Sequence, residues 1–93
     1  MAVTVRIPTQ LRELSGGAAE LSAEPGTVAE VLAQLETAHP GFAERLFDDK
    51  GELRRFVNVF VADEDIRFLG GVSTPVTAGQ TVSIVPAVAG GAR

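Results

Sequence analysis

The stretch TVAEVLAQLETA, residues 27–38, decides the fold. It opens on a capping box. The Thr27 hydroxyl is placed to accept from the amide of Glu30, and the Glu30 carboxylate to reach back to the amide of Thr27. Behind that box Val28, Val31, Leu32 and Leu35 recur at helical spacing and share one face. Pro40-Gly41 then stops the helix near Ala38. The result is one amphipathic helix, able to cover one face of whatever the flanking segments build.

Those flanks read as strands. Upstream, Val3, Val5 and Ile7 alternate with Thr4 and Arg6 until Pro8 ends the run. Gly16-Gly17 mark a turn, and Glu20 to Ala23 form a second short strand with Leu21 and Ala23 on one face. Downstream, Phe42, Leu46 and Phe47 predict a short helical turn closing one end of the core, and Asp48-Asp49-Lys50-Gly51 a loop. RFVNVFV, residues 55–61, places Val57, Val59 and Val61 on one face. Asp63-Glu64-Asp65 is expected to turn the chain, and Ile66-Arg67-Phe68 to begin a return strand. Gly70-Gly71 and Pro75 fill an irregular link. Ala78-Gly79-Gln80 turn into a last strand, TVSIVP, residues 81–86.

The order is β-β-α-β-β-β. The first and last strands both carry buried-type alternation, so both are expected at the centre of the sheet. If they lie side by side and parallel, the helix lies in the connection between them. That arrangement is an α+β fold of the β-grasp, or ubiquitin-like, type: a mixed sheet of about five strands with one main helix packed on one face. A ferredoxin-like fold needs a second long helix, which the sequence does not offer. The expected division is a β-grasp domain over residues 1–88 and a flexible C-terminal tail over residues 89–93.

Composition narrows the function classes. The chain has 93 residues, a formal charge of −4 and no cysteine. One small aliphatic core is all this length supports. The acidic balance and the lack of a basic stripe argue against nucleic acid. Without cysteine there are no disulfides, thiolate metal sites or cysteine nucleophiles. No signal-type or membrane-spanning apolar run is present, so no membrane partner is expected and the expected location is cytoplasmic.

A small β-grasp domain whose last strand runs through a short apolar stretch into Gly-Gly resembles the MoaD/ThiS sulfur-carrier family. The segments RFVNVFVADEDIRFLGG and TVSIVPAVAGG carry the resemblance most specifically. They are most similar to the branch of the family that serves cysteine synthesis. In that family the terminal glycine carboxylate is the working group. The resemblance implies that Gly91 is adenylated by an E1-like activating enzyme of the MoeB/ThiF type, which consumes ATP, while the carrier binds no cofactor and no metal. A sulfurtransferase then supplies sulfur for a thiocarboxylate. A cysteine synthase, or another sulfur-accepting enzyme, receives it, and a JAMM-type metalloprotease cuts the resulting carrier–cysteine amide.

The residue chemistry agrees with that implication. Glycine lacks Cβ, fits a narrow channel and adopts angles other residues avoid. Gly90 and Gly91 give a slim reach of roughly 7 Å, with Val88 and Ala89 behind them for entering a partner's active site. The chain departs from the family pattern by continuing into Ala92-Arg93. These two residues read as a dipeptide removed by a protease before the Gly91 carboxylate is exposed. The alternatives are an extension foreign to the natural chain, or a protein that only binds.

Phe56, Phe60 and Val85 form a candidate partner surface, because the alternation that buries Val57, Val59 and Val61 turns Phe56, Asn58 and Phe60 to the other face. The competing reading has a loop or the Phe42 to Phe47 segment covering those rings. His39, at the helix C-terminus, reads as a cap. Asp63, Glu64 and Asp65 read as a solvated tip, not a metal site. Arg54, Arg55 and Arg67 read as surface charge, and Gly70-Gly71 as a turn without the features of a phosphate loop. No nucleophile pair suggests an enzyme. Two functions follow: a protein co-substrate that carries sulfur for cysteine, molybdopterin, thiamine or specialised metabolites, or a ubiquitin-like interaction module acting through its sheet face.

Overall fold

A computed structural model describes residues 2–54 and 57–86. The expectations placed on Arg55, Phe56, Val88, Ala89, Gly90, Gly91, Ala92 and Arg93 lie outside the described residues.

The first strand, β1 (Val3–Arg6), pairs antiparallel with β2 (Glu20–Ala23), with Val5 opposite Leu21. β3 (Gly26–Thr27) leads into helix α1 (Val28–Ala38), and α2 (Phe42–Leu46) follows. The chain returns through β4 (Val57–Val61) and the short β5 (Glu64–Asp65). It then passes through β6 (Pro75–Val76) and ends in β7 (Thr81–Pro86). The main sheet runs β2-β1-β7-β4-β5, and β3 pairs with β6 in a separate two-stranded ribbon. β1 and β7 are parallel neighbours, with Val5 opposite Val82. This is the β-grasp arrangement, with α1 in the crossover between the two central strands.

The helix starts where its capping box dictates. Glu30 N–H donates to Thr27 Oγ1 at 3.2 Å, and Thr27 N–H donates to Glu30 Oε1 at 2.8 Å. Its apolar face, Val28, Val31, Leu32 and Leu35, is buried against Val3, Val5, Val59 and Val82 of the sheet core. His39 takes the C-cap position, its amide donating to Leu35 O at 2.7 Å. The Glu36 carboxylate then accepts from the amides of Gly41 and Ala43, at 3.1 and 2.8 Å. That contact fixes the start of α2 and seats Phe42 and Leu46 in the core. Gly41 sits at φ 117°, a conformation that favours glycine. The free edge of β2 ends under the Gln34 amide, which accepts from Glu24 N–H at 2.7 Å and donates to Glu24 O at 3.0 Å. A side chain there stands where another strand would pair.

The structure corrects the reading of residues 62–68. The turn is Ala62-Asp63, at φ 51° and 70°. Two consecutive left-handed residues have the backbone twist that a two-residue hairpin requires. Glu64 and Asp65, expected in the turn, are the return strand, with Asp65 opposite Phe60. Ile66–Phe68, expected as strand, is a 3-10 turn. The Asp65 carboxylate causes this: it accepts from Arg67 N–H at 2.8 Å, curling the chain while Ile66 drops into the core. The β3–β6 ribbon was not anticipated either, since two-residue strands leave no periodicity.

Replacing Leu32 with Ala is expected to cost about 2–5 kcal/mol, because the site is closed on all sides. Replacing Thr27 with Ala, which removes one half of the capping box, is expected to cost about 1 kcal/mol. Urea unfolding of the two variants beside the parent checks both the order and the size.

Candidate functional site

The site is built on β7, because this strand feeds the tail. β7 lies between two partners. β1 runs beside it in parallel, and β4 runs antiparallel with Val57 opposite Pro86 and Asn58 opposite Val85. Alternation along β7 buries Val82 and Ile84 and turns Thr81, Ser83 and Val85 to the face away from α1. The last described residue, Pro86, therefore leaves from an inner strand of the sheet, opposite Val57 of β4, while the pairing with β1 covers Thr81 to Ser83.

The face away from α1 is mostly polar. Thr4 and Arg6 of β1, Thr81 and Ser83 of β7, and Asn58 of β4 occupy it. Two apolar side chains interrupt it, as the alternation predicts. Phe60 is half-buried opposite Ser83, and Val85 is 45% exposed opposite Asn58. They are diagonal neighbours across the β4–β7 pair, close enough for side chains of this size to touch. Phe42, which could have capped them, is buried in the core, and Phe47 is half-buried against it from the α1 side. Phe60 and Val85 thus belong to an open patch; the third residue predicted for it, Phe56, lies outside the described residues.

Around this root the chain places arginines with defined contacts. The Arg67 guanidinium donates to Val57 O at 3.0 Å and to Asn58 Oδ1. The Arg54 guanidinium donates twice to Glu44 O, at 3.2 and 3.0 Å, tying the end of α2 to the approach of β4. Both therefore support the fold as well as the surface, which the reading as surface charge did not foresee. Beside Val85 and Pro86 opens a groove of about 460 Å³, lined also by Arg6, Pro8, Gln10 and Arg12. It marks the β1 side of the tail root.

Sequence reasoning missed an exposed apolar pair that includes the most exposed large apolar side chain of the described residues. Phe68, the last residue of the 3-10 turn, is 87% exposed, and Leu69, which caps it, is 42% exposed. Reading residues 66–68 as strand hid them. The available signal was Asp65 two residues before Arg67, a spacing at which an Asp side chain captures a backbone amide.

Among the described residues no group of three or more His, Cys, Asp or Glu could hold a metal ion. Asp63, Glu64 and Asp65 are spread between the hairpin turn and β5. Gly70-Gly71 opens a 3-10 turn in place of a long helix. Among the described residues no helix is long and apolar enough to cross a membrane.

A ubiquitin-like domain whose central last strand delivers its C-terminus is the class of protein these features define. Comparison with known proteins gives the particular family. The chain matches the ThiS family over residues 5–91. It is 50% identical over 93 residues to the sulfur carrier protein CysO of Mycobacterium tuberculosis, covering 98% of this chain and 100% of that one. It is 40% identical over 68 residues to the small archaeal modifier protein 3 of Haloferax volcanii, 73% of each chain. Among solved structures it resembles a chain in the Amycolatopsis orientalis BexX/CysO complex, with a TM-score of 0.90, 48% identity and coverage of 97% and 100%. The chain belongs to the ThiS family of sulfur carriers. Its named relatives are carriers and modifiers, consistent with a protein that partner enzymes act upon.

The geometry makes Arg67 the fastener of the tail root. Arg67→Ala is expected to lower stability by about 1 kcal/mol. It should also speed hydrogen exchange at the amides of Asn58 and Val85 more than at those of β1. Denaturant titration and site-resolved exchange measure the two effects.

Proposed function

We propose that this chain carries sulfur on the α-carboxylate of Gly91 and delivers it in cysteine synthesis, after Ala92 and Arg93 have been removed. The observation that carries the reading is the extent of the family match, which runs through the body and tail and ends on Gly91. Ala92 and Arg93 fall outside it. The 50% identity to CysO favours the cysteine branch over molybdopterin or thiamine supply.

The chemistry proceeds in two displacements. An activating enzyme of the ThiF type joins the Gly91 carboxylate oxygen to the α-phosphorus of ATP and releases pyrophosphate. A carboxylate is a poor acyl donor, and the acyl adenylate is a good one. Sulfur delivered by a sulfurtransferase at the sulfide level then attacks the acyl carbon, AMP leaves, and a thiocarboxylate remains. The thiocarboxylate sulfur bonds to the β-carbon of an activated serine held by a cysteine synthase as the activating group leaves; the cysteine amine then takes the acyl group from sulfur, and a JAMM-type metalloprotease hydrolyses that amide to free cysteine and restore the Gly91 carboxylate. Val88, Ala89 and Gly90 thread the active site, since small residues pass where larger ones would clash. Phe60 and Val85 contribute the dock at the tail root. A related carrier has been crystallised as a BexX/CysO complex, a precedent for a carrier of this kind held by a partner protein.

Protein ending at Gly91, incubated with such an enzyme, ATP and sulfide, is expected to gain about 16 Da as sulfur replaces oxygen. Protein still ending in Ala92-Arg93 is expected to gain nothing. Intact-mass spectrometry distinguishes them. An unchanged mass for the Gly91 form, with an enzyme shown to load another carrier, excludes the reading and favours an interaction module.

A further inference from the structure

Beside the tail root the sheet forks. β1 ends at Arg6, which lies opposite Ser83, and Pro8 then leads the chain into the 3-10 turn Thr9–Leu11. β7 runs on to Pro86, held past Ser83 by β4. Between the departing chain and the end of β7 lies the groove of about 460 Å³, a size that suits a short peptide or a small ligand. Val85 and Pro86 form part of its wall, so residues 87–93 begin at the groove itself.

The groove carries cationic donors that nothing else uses. Arg6, on its wall, makes no hydrogen bond or ion pair among the described residues. Arg12 donates from Nε to Ile7 O at 3.1 Å, which holds its guanidinium at the groove and leaves the terminal N–H groups without an acceptor among the described residues. The other described arginines are committed. Arg45 stands 3.8 Å from Glu13, and Arg54 and Arg67 donate to main-chain carbonyls. Glu20, opposite Arg6 in register, also lines the groove, yet no ion pair joins the two. Two guanidinium groups with spare donors on one concave surface suit a carboxylate, whose oxygens accept several N–H groups at once.

We propose that the tail, once it ends at Gly91, folds back into this groove and seats its own terminal carboxylate against Arg6 and Arg12. The proposal rests on the reading in which Ala92 and Arg93 are removed. The length of the tail fits. A β-turn takes about four residues, so a reversal over residues 86–89 returns Gly90 and Gly91 to the level of Val85 and Ile84. That level is one residue from Ser83, the partner of Arg6. Ala92-Arg93 would overrun the place and bring a third guanidinium into it. The tether holds the carboxylate at high effective concentration, while exposed ion pairs are weak and glycines resist ordering. The contact is therefore reversible. It shields the carboxylate in the free protein and yields to an enzyme that draws the tail out.

The test is solution NMR on isotopically labelled protein ending at Gly91, on its Arg6→Gln variant, and on the form that keeps Ala92-Arg93. The Gly91 form is expected to show NOEs from Gly90 and Gly91 to the side chains of Gln10 and Arg12. Its Gly90 amide should have an order parameter above the roughly 0.6 that bounds flexible backbone. Arg6→Gln should remove the NOEs and drop that order parameter below about 0.6. Thermal unfolding should be nearly unchanged, since the Arg6 side chain makes no described contact. Salt at about 0.5 M should weaken the NOEs as the variant does. A Gly91 form without these NOEs overturns the proposal, as do NOEs that survive both Arg6→Gln and salt, or that are equally strong with Ala92-Arg93 in place. NOEs that grow with protein concentration also overturn it, since the groove then holds the tail of a second copy. No activating enzyme enters the test, so a tail that docks but never gains sulfur refutes the carrier reading and leaves the docking standing.

Discussion

Val5 lies opposite Val82, in register and parallel, and this pairing governs the rest of the molecule. Parallel neighbours cannot be joined by a tight turn, so everything between β1 and β7 serves as a crossover or is hung upon one. The crossover must contain an element that packs back onto the sheet, and α1 is the segment with the apolar face to do it. Placing both ends of the fold at the centre also leaves the sheet's edges to short strands, β2 and β5, the least dangerous strands to expose. The same pairing makes the last strand central. Its first half, Thr81 to Ser83, pairs with β1, and its far end at Val85 and Pro86 pairs with β4.

One helix on one face means that the opposite face has no cover. Its composition reflects that. Thr4, Thr81, Ser83 and Asn58 stand where a two-layer sandwich would need valines, while Val57, Val59 and Val61 fill the covered side. Against this polar field Phe60, half-buried, and Val85, exposed, are apolar exceptions. Neither is required by the core, which is already closed by Phe42, Leu46 and Ile66. The open face and the tail root are thus consequences of a single topological choice.

Much of this could be read from residue order. The capping box at Thr27, the apolar stripe behind it and the period-two runs in β1, β4 and β7 are local signals, and each element appears where its signal puts it. The parallel centre followed from packing logic, since two strands of buried type and a single helix admit few arrangements. Residues 62–68 were misread because their conformation is set by competing polar contacts and not by periodicity. Ala62 adopts a left-handed angle that its side chain disfavours. The hairpin forms there because β4 and β5 pair around it. Asp65 then diverts the chain into a 3-10 turn through one side-chain bond. Nothing in an apolar pattern reports such a bond, so Ile66-Arg67-Phe68 reads as the start of a strand. The ties of Arg54 and Arg67 to carbonyl oxygens were illegible for the same reason: both acceptors are main chain.

In the proposed sulfur-carrier role, the division of labour between body and tail follows from entropy. Fixing backbone costs roughly 1–2 kcal/mol per residue, and most for glycine. A slim tail suited to a narrow channel is therefore poor at binding the channel's owner. Each glycine that eases passage removes a side chain that could have contributed contact. Affinity must come from surface that is ordered before the encounter, close enough to the tail root for both contacts to form together. The described body meets that condition at the Phe60–Val85 patch, on the strand pair that ends at Val57 and Pro86. Backbone pairing holds both residues before any partner arrives, so contact there carries little of the ordering cost that a tail carries.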